Sequence, residues 1–106
     1  MIRAATAADI PFCALASQAA ERAHRPEGPG LWDYIWPEQT VPVLEAWTST
    51  PATIFHWGNF LVALDNSGTV PVAACGGYVY GKVEWERWDD IEGGIMTSLG
   101  LSAEGL

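Results

Sequence analysis

The run FLVALDNSGTVPVAACGGYVY, residues 60 to 80, constrains the fold of this chain more than any other stretch. Two apolar segments flank Asn66-Ser67-Gly68, a trio that readily supplies positive backbone φ angles, so the pattern predicts an antiparallel hairpin. FLVALD has no polar alternation and reads as a largely buried strand, with Val70 to Tyr80 returning beside it. Gly76-Gly77 in the returning strand predicts a bulge or a close backbone approach, because glycine otherwise weakens a strand interior. On that reading Gly77→Val destabilises the hairpin. A lone hairpin is marginal in water, so further strands or a covering helix must come from elsewhere.

The upstream residues supply both. IRAA, residues 2 to 5, reads as a short strand, and Thr6-Ala7-Ala8-Asp9 matches the signature in which a hydroxyl and a carboxylate satisfy the first free N–H groups of a helix. Ile10, Phe12, Cys13, Leu15, Ala16 and Ala19 recur at helical spacing, and Pro11 falls in the first turn, so a helix is predicted from about Ala7 to about Ala23. HRPEGPGLWDYIWPEQ, residues 24 to 39, holds three prolines and two glycines and reads as an aromatic loop, with LWDYIW able to form one short helical turn. TVPVLEAWTS, residues 40 to 49, predicts a second helix capped by Thr40 and stopped by Pro51. After Gly81, the spacing of Trp85, Trp88 and Ile91 predicts one amphipathic turn or short helix and then a tail.

At 106 residues, with 49% hydrophobic and 17% charged content, the chain fits one domain or part of one. Five basic against thirteen acidic residues argue against a nucleic-acid partner, whose phosphates call for clustered Lys and Arg. No run approaches the ~20 apolar residues of a membrane span, and the start lacks a basic segment followed by an apolar one. No membrane partner and a cytoplasmic location are therefore expected. Cys13 and Cys75 sit in apolar contexts without a C-x-x-C pair and are expected to be buried free thiols.

The loop between the two helices carries the most suggestive chemistry. Trp32, Asp33 and Tyr34, with Trp36 and Glu38 nearby, join aromatic faces to carboxylates, a combination that binds amines through cation–π and charge-assisted contacts. The plainer reading is that the tryptophans pin an irregular loop to the core. His24 and His56 have no nucleophile or carboxylate at triad spacing, and Glu84, Glu86, Asp89, Asp90 and Glu92 read as a solvated acidic face, so no metal is assigned. Neither Gly76-Gly77 nor Gly93-Gly94 opens a helix in the manner of a phosphate-binding loop.

The order of elements resembles the N-terminal half of a GNAT-type N-acetyltransferase. IRAATAADIPFCALASQAA is similar to that family's opening strand and helix, and NFLVALDNSGTVPVAACGGYVY to its second and third strands. The resemblance implies an α+β fold, part of an acyl-CoA N-acyltransferase-like domain: a short N-terminal strand, two helices and an antiparallel hairpin over residues 1–80. Residues 81–106 would be an acidic linker and tail preceding a missing cofactor-binding half. The family's R/Q-x-x-G-x-G/A string, which holds the pyrophosphate of acetyl-CoA at a helix start, does not occur after residue 80. Acetyl-CoA is thus implied as co-substrate of the complete fold, with no tight binding expected on this chain, which is expected to be inactive alone.

What the resemblance carries over is position. The loop with Trp32, Asp33, Tyr34 and Glu38 would line the pocket for a small-molecule or peptide amine acceptor, and no catalytic residue is transferred. The alternative is a non-catalytic binding or assembly module whose incomplete sheet is closed by self-association, which implies a homodimer.

Overall fold

The computed structural model describes residues 1–24, 27, 30–51, 53–78 and 87–101, with only the backbone at position 31. It is mixed α+β. Strand β1 (Ile2–Ala4) leads into helices α1 (Ile10–Ala23), α2 (Leu31–Ile35) and α3 (Thr40–Ser49), then strands β2 (Phe60–Leu64) and β3 (Pro71–Gly76), and finally helix α4 (Trp88–Ser98). The three strands form one antiparallel sheet in the order β1-β2-β3.

Local chemistry accounts for most of these boundaries. The Thr6 N–H donates to Asp9 Oδ2 at 2.8 Å, and Ala7–Asp9 form a 3-10 turn before α1 proper begins with Pro11 in its first turn. At α3 the cap differs from expectation. Gln39 occupies the cap position, and Thr40 lies inside the helix with its hydroxyl donating to the Trp36 carbonyl at 2.9 Å. LWDYI does form a turn of helix, α2.

The hairpin turn is held by Asp65. Its Oδ1 accepts from the Thr69 and Val70 N–H groups and from the Ser67 hydroxyl, and Gly68 sits at φ 74°. The bulge lies elsewhere than the sequence implied. Ala63 pairs with Ala73 and Leu64 with Pro71, so the register shifts at Val72 rather than at Gly77. Gly76 faces Phe60 across the ladder, and a Cβ there would stand 3.0 Å from Phe60 Cε1, so close approach is its role. β3 ends at Gly76: Gly77 and Tyr78, expected to continue the strand, lie outside it, and Val79 and Tyr80 are outside the described residues.

Two apolar clusters hold the layers together. Cys13 of α1 packs with Ala5, Phe60, Val62 and Leu64 against one face of the sheet. Trp36, Val43 and Trp47 of the α2–α3 region pack with Ile95 and Met96 of α4. α3 packs chiefly on α1, so the order of layers is sheet, α1, then α3 with α4.

α4 is longer than the short turn that Trp85, Trp88 and Ile91 implied, and it runs straight through Gly93-Gly94. Each glycine costs a helix interior about 1 kcal/mol relative to alanine. Burial of Ile95 and Met96, with Trp88 and Ile91 packed beside them, outweighs that cost. The helix ends in a Schellman motif, with Gly100 at φ 69° and the Leu101 N–H donating to the Met96 carbonyl at 2.8 Å. Part of the stretch read as linker and tail is therefore core-forming helix.

Among the described residues only one face of the sheet is covered. Phe60, Val62 and Leu64 point toward α1, while Ile2, Ala4, Leu61, Ala73 and Cys75 are exposed on the other face. Ile2 is 70% and Leu61 53% exposed. The largely buried strand implied by FLVALD is thus a half-buried one among the described residues. Cys75, expected to be buried, is exposed, and Cys13 alone of the two thiols is buried.

Candidate functional site

A cavity of about 260 Å³ opens between α1, the start of α2 and the β2–β3 pair. Two facts of local structure create it. Small residues on one side of α1, Ala16 and Ala20, leave space over the sheet, and Gly76 contributes no side chain where it faces Phe60. Trp32 and Phe55 line the same space with rings 5.4 Å apart and nearly perpendicular. Phe55 in turn stands 6.2 Å from Trp47, which stacks on Trp88 at 4.5 Å, so an aromatic chain ties the cavity wall to the second core.

The residues expected from sequence to act together are separated by the fold. Trp32 lines the cavity. Asp33, its neighbour, turns to α1 and accepts from Arg22 Nε at 2.7 Å, Arg22 Nη2 at 3.1 Å and Gln18 Nε2 at 2.9 Å. Hydrogen bonds from Arg22 hold its carboxyl well below the ordinary carboxylate range, aided by Gln18 and Thr40. That carboxylate fastens α2 to α1. Tyr34 is 71% exposed and Trp36 is buried in the second core. Glu38 is exposed in the turn before α3, at φ 68°. Neither Tyr34 nor Glu38 lines the cavity.

Tyr78 also lines it, and sequence reasoning missed two further polar residues that do so, Ser17 and Glu21, both on α1. They lie one helical turn apart, which places them on one face, and that spacing was the available signal. The Ser17 hydroxyl donates to the Cys13 carbonyl at 3.0 Å, which leaves its oxygen free to accept. Glu21 is half-buried; its backbone carbonyl accepts from the His24 N–H at 3.2 Å, and its side chain makes no hydrogen bond or ion pair with the described residues.

The histidines lie apart from this constellation. His24 caps the exposed end of α1, and His56 Nδ1 accepts from the Gly58 N–H at 3.2 Å. Burial pushes the His56 pKa below its ordinary value. Among the described residues no group of three His, Cys, Asp or Glu side chains is placed to hold a metal ion, and no helix is long and apolar enough to cross a membrane. Glu84 and Glu86 of the acidic run lie outside the described residues, whereas Asp89 and Asp90 sit exposed in the first turn of α4, where the helix dipole favours them.

Comparisons of the chain with protein-family models, with curated proteins and with solved structures find no match.

Proposed function

We propose that this chain forms the acceptor-binding side of an N-acetyltransferase of GNAT type, which moves an acetyl group from acetyl-CoA to an amine. The observation that carries the reading is the sheet. Three antiparallel strands in sequence order, with all the helices between β1 and β2 stacked on one side, leave the second apolar face uncovered by the described residues. Leaving a side chain such as Leu61 in water forgoes about 1.5–3 kcal/mol that burial would supply. A cofactor-binding half of the domain would cover that face, and the cavity bordered by Trp32 would receive the acceptor.

Acetyl-CoA itself is not assigned to these residues. The chain has no R/Q-x-x-G-x-G/A string after residue 80, and a cavity of about 260 Å³ has room for a small body only. The contribution of this chain is to bind and orient the amine, while the thioester chemistry belongs to the rest of the domain.

The same uncovered face supports a second reading, a non-catalytic module in which two copies cover each other. Intact mass of the natively expressed protein, a thermal-shift titration with acetyl-CoA and light scattering separate the two. A longer native chain stabilised by acetyl-CoA is the expected result. A native chain of this length that forms a stable dimer and gains nothing from acetyl-CoA would overturn the acetyltransferase reading.

A further inference from the structure

We infer that the cavity between α1, α2 and the hairpin selects a compact monoamine with an apolar body, and that Glu21, not Asp33, anchors its ammonium group. The inference rests on the acceptor-side reading above and narrows its substrate from amines at large to this class.

The argument is one of donor and acceptor inventory. The aromatic lining includes Trp32, Phe55 and Phe60, whose ring faces carry negative quadrupole density and attract a cation. Of the polar groups set around them, the Tyr78 hydroxyl can donate or accept, and the one charged side chain among the described lining residues is a carboxylate. Glu21 brings a carboxylate, and the Ser17 hydroxyl has already donated its proton to the Cys13 carbonyl. Among the described residues no Lys, Arg or His lines the cavity, so no described cation there would pair with an anionic ligand. A carboxylate set beside aromatic faces is complementary to a donor that carries positive charge.

Asp33 is the carboxylate that sequence proximity to Trp32 makes attractive, but it accepts three hydrogen bonds from Arg22 and Gln18, which offset its charge. The Glu21 carboxylate has no hydrogen-bond or ion-pair partner among the described residues and stands at the edge of an apolar space. A carboxylate so placed binds an ammonium more strongly than one in open water, because fewer waters must be displaced and the local dielectric is lower.

Size and charge count set the remaining limits. The volume of about 260 Å³ lies just below the ~300–1,000 Å³ typical of ligand clefts, so the body must be small. With one carboxylate among the described lining residues, a second or third ammonium would be desolvated without a described partner, which disfavours polyamines. A peptide chain would bring backbone N–H and C=O groups against Trp32, Phe55 and Phe60, where they would go unpaired.

Isothermal titration calorimetry on the full chain tests this with three probes: 2-phenylethylamine, its neutral counterpart 2-phenylethanol, and spermidine. The amine is expected to bind at least about tenfold more tightly than the alcohol, the loss of one charge-assisted hydrogen bond. Spermidine is expected to bind more weakly than the amine. Glu21→Gln should reduce the preference for amine over alcohol to about onefold while leaving the alcohol's affinity unchanged, and Asp33→Asn should leave the preference intact. Equal binding of amine and alcohol to the wild-type chain would overturn the inference, as would binding of neither or a preference that survives Glu21→Gln. The wild-type probe comparison stands even if a variant fails to fold. Because these titrations contain no acetyl-CoA, their failure is separable from failure of the acetyltransferase reading, which the acetyl-CoA thermal shift decides.

Discussion

Gly76 lies directly across the ladder from Phe60, with the aromatic ring over it so closely that a Cβ on Gly76 would stand 3.0 Å from Phe60 Cε1 and 3.1 Å from Phe60 Cζ. Gly77, the next residue, has no atom of the described residues within 4 Å of where its Cβ would be. The two adjacent glycines therefore have opposite expectations. Gly76→Val forces the Phe60 ring aside, with an overpacking cost of about 1–3 kcal/mol, and changes the cavity it borders. Gly77→Val costs within about 0.5 kcal/mol, contrary to what the sequence pattern alone implies. Urea unfolding of both variants checks the contrast, and equal destabilisation would count against it.

Asp9 ties the start of α1 to the sheet through Arg3, with Arg3 Nη1 to Asp9 Oδ2 at 2.6 Å and Nη2 to Oδ1 at 3.0 Å. The Arg3 hydrogen bonds, then that from the Thr6 N–H, lower the carboxyl pKa from 3.8 to about 2. A carboxyl depressed in the folded state stabilises the fold above its unfolded pKa, and the contribution is lost as pH falls through the folded value. Asp9→Asn should therefore flatten the decline of melting temperature between about pH 4 and pH 2. Parallel wild-type and variant profiles across that window would show that the pair does not drive acid stability.

The two thiols should be distinguishable by reagent. Cys75 is exposed on the uncovered sheet face, whereas Cys13 is fully buried against Val62 and Leu64, and burial pushes its thiol pKa up. Iodoacetamide on the native protein should add one group, at Cys75, and a second at Cys13 only after denaturation. Protection of Cys75 in the native state would mean that something covers that face in solution.

Asp33 should matter for order rather than for ligand charge. Its bonds to Arg22 and Gln18 fix α2, whose own backbone bonds include Tyr34 N–H to Gly30 O and Trp36 N–H to Trp32 O, each at 2.9 Å. Asp33→Ala is expected to speed amide exchange at Tyr34 and Trp36 and to leave β2 amides unchanged. Uniform acceleration across the sheet would indicate global destabilisation instead.

Much of the fold was legible where chemistry is local. The Thr6-to-Asp9 cap, Pro11 in a first turn, the span of α3 and the Asp65–Val70 turn follow from backbone groups and side chains a few residues apart, and neighbouring residues specify them. The α+β class followed from the change of apolar period between α1 and the hairpin. α4 was legible only in part, because two glycines mid-helix signal a break unless distant residues such as Trp47 and Val43 stand ready to bury its apolar side.

The candidate site was decided by tertiary structure. Trp32 and Asp33 are neighbours in sequence, yet α2 directs one to the cavity and the other to Arg22, and no local pattern records where Arg22 will be. Glu21 acquires its place because α1 lies across the sheet beside Gly76, an arrangement set by packing of Cys13 on Val62. The uniform apolarity of FLVALD specifies a strand with two faces to bury. Which face α1 covers, and that Ile2 and Leu61 remain exposed on the other, depends on long-range burial that composition and period do not encode.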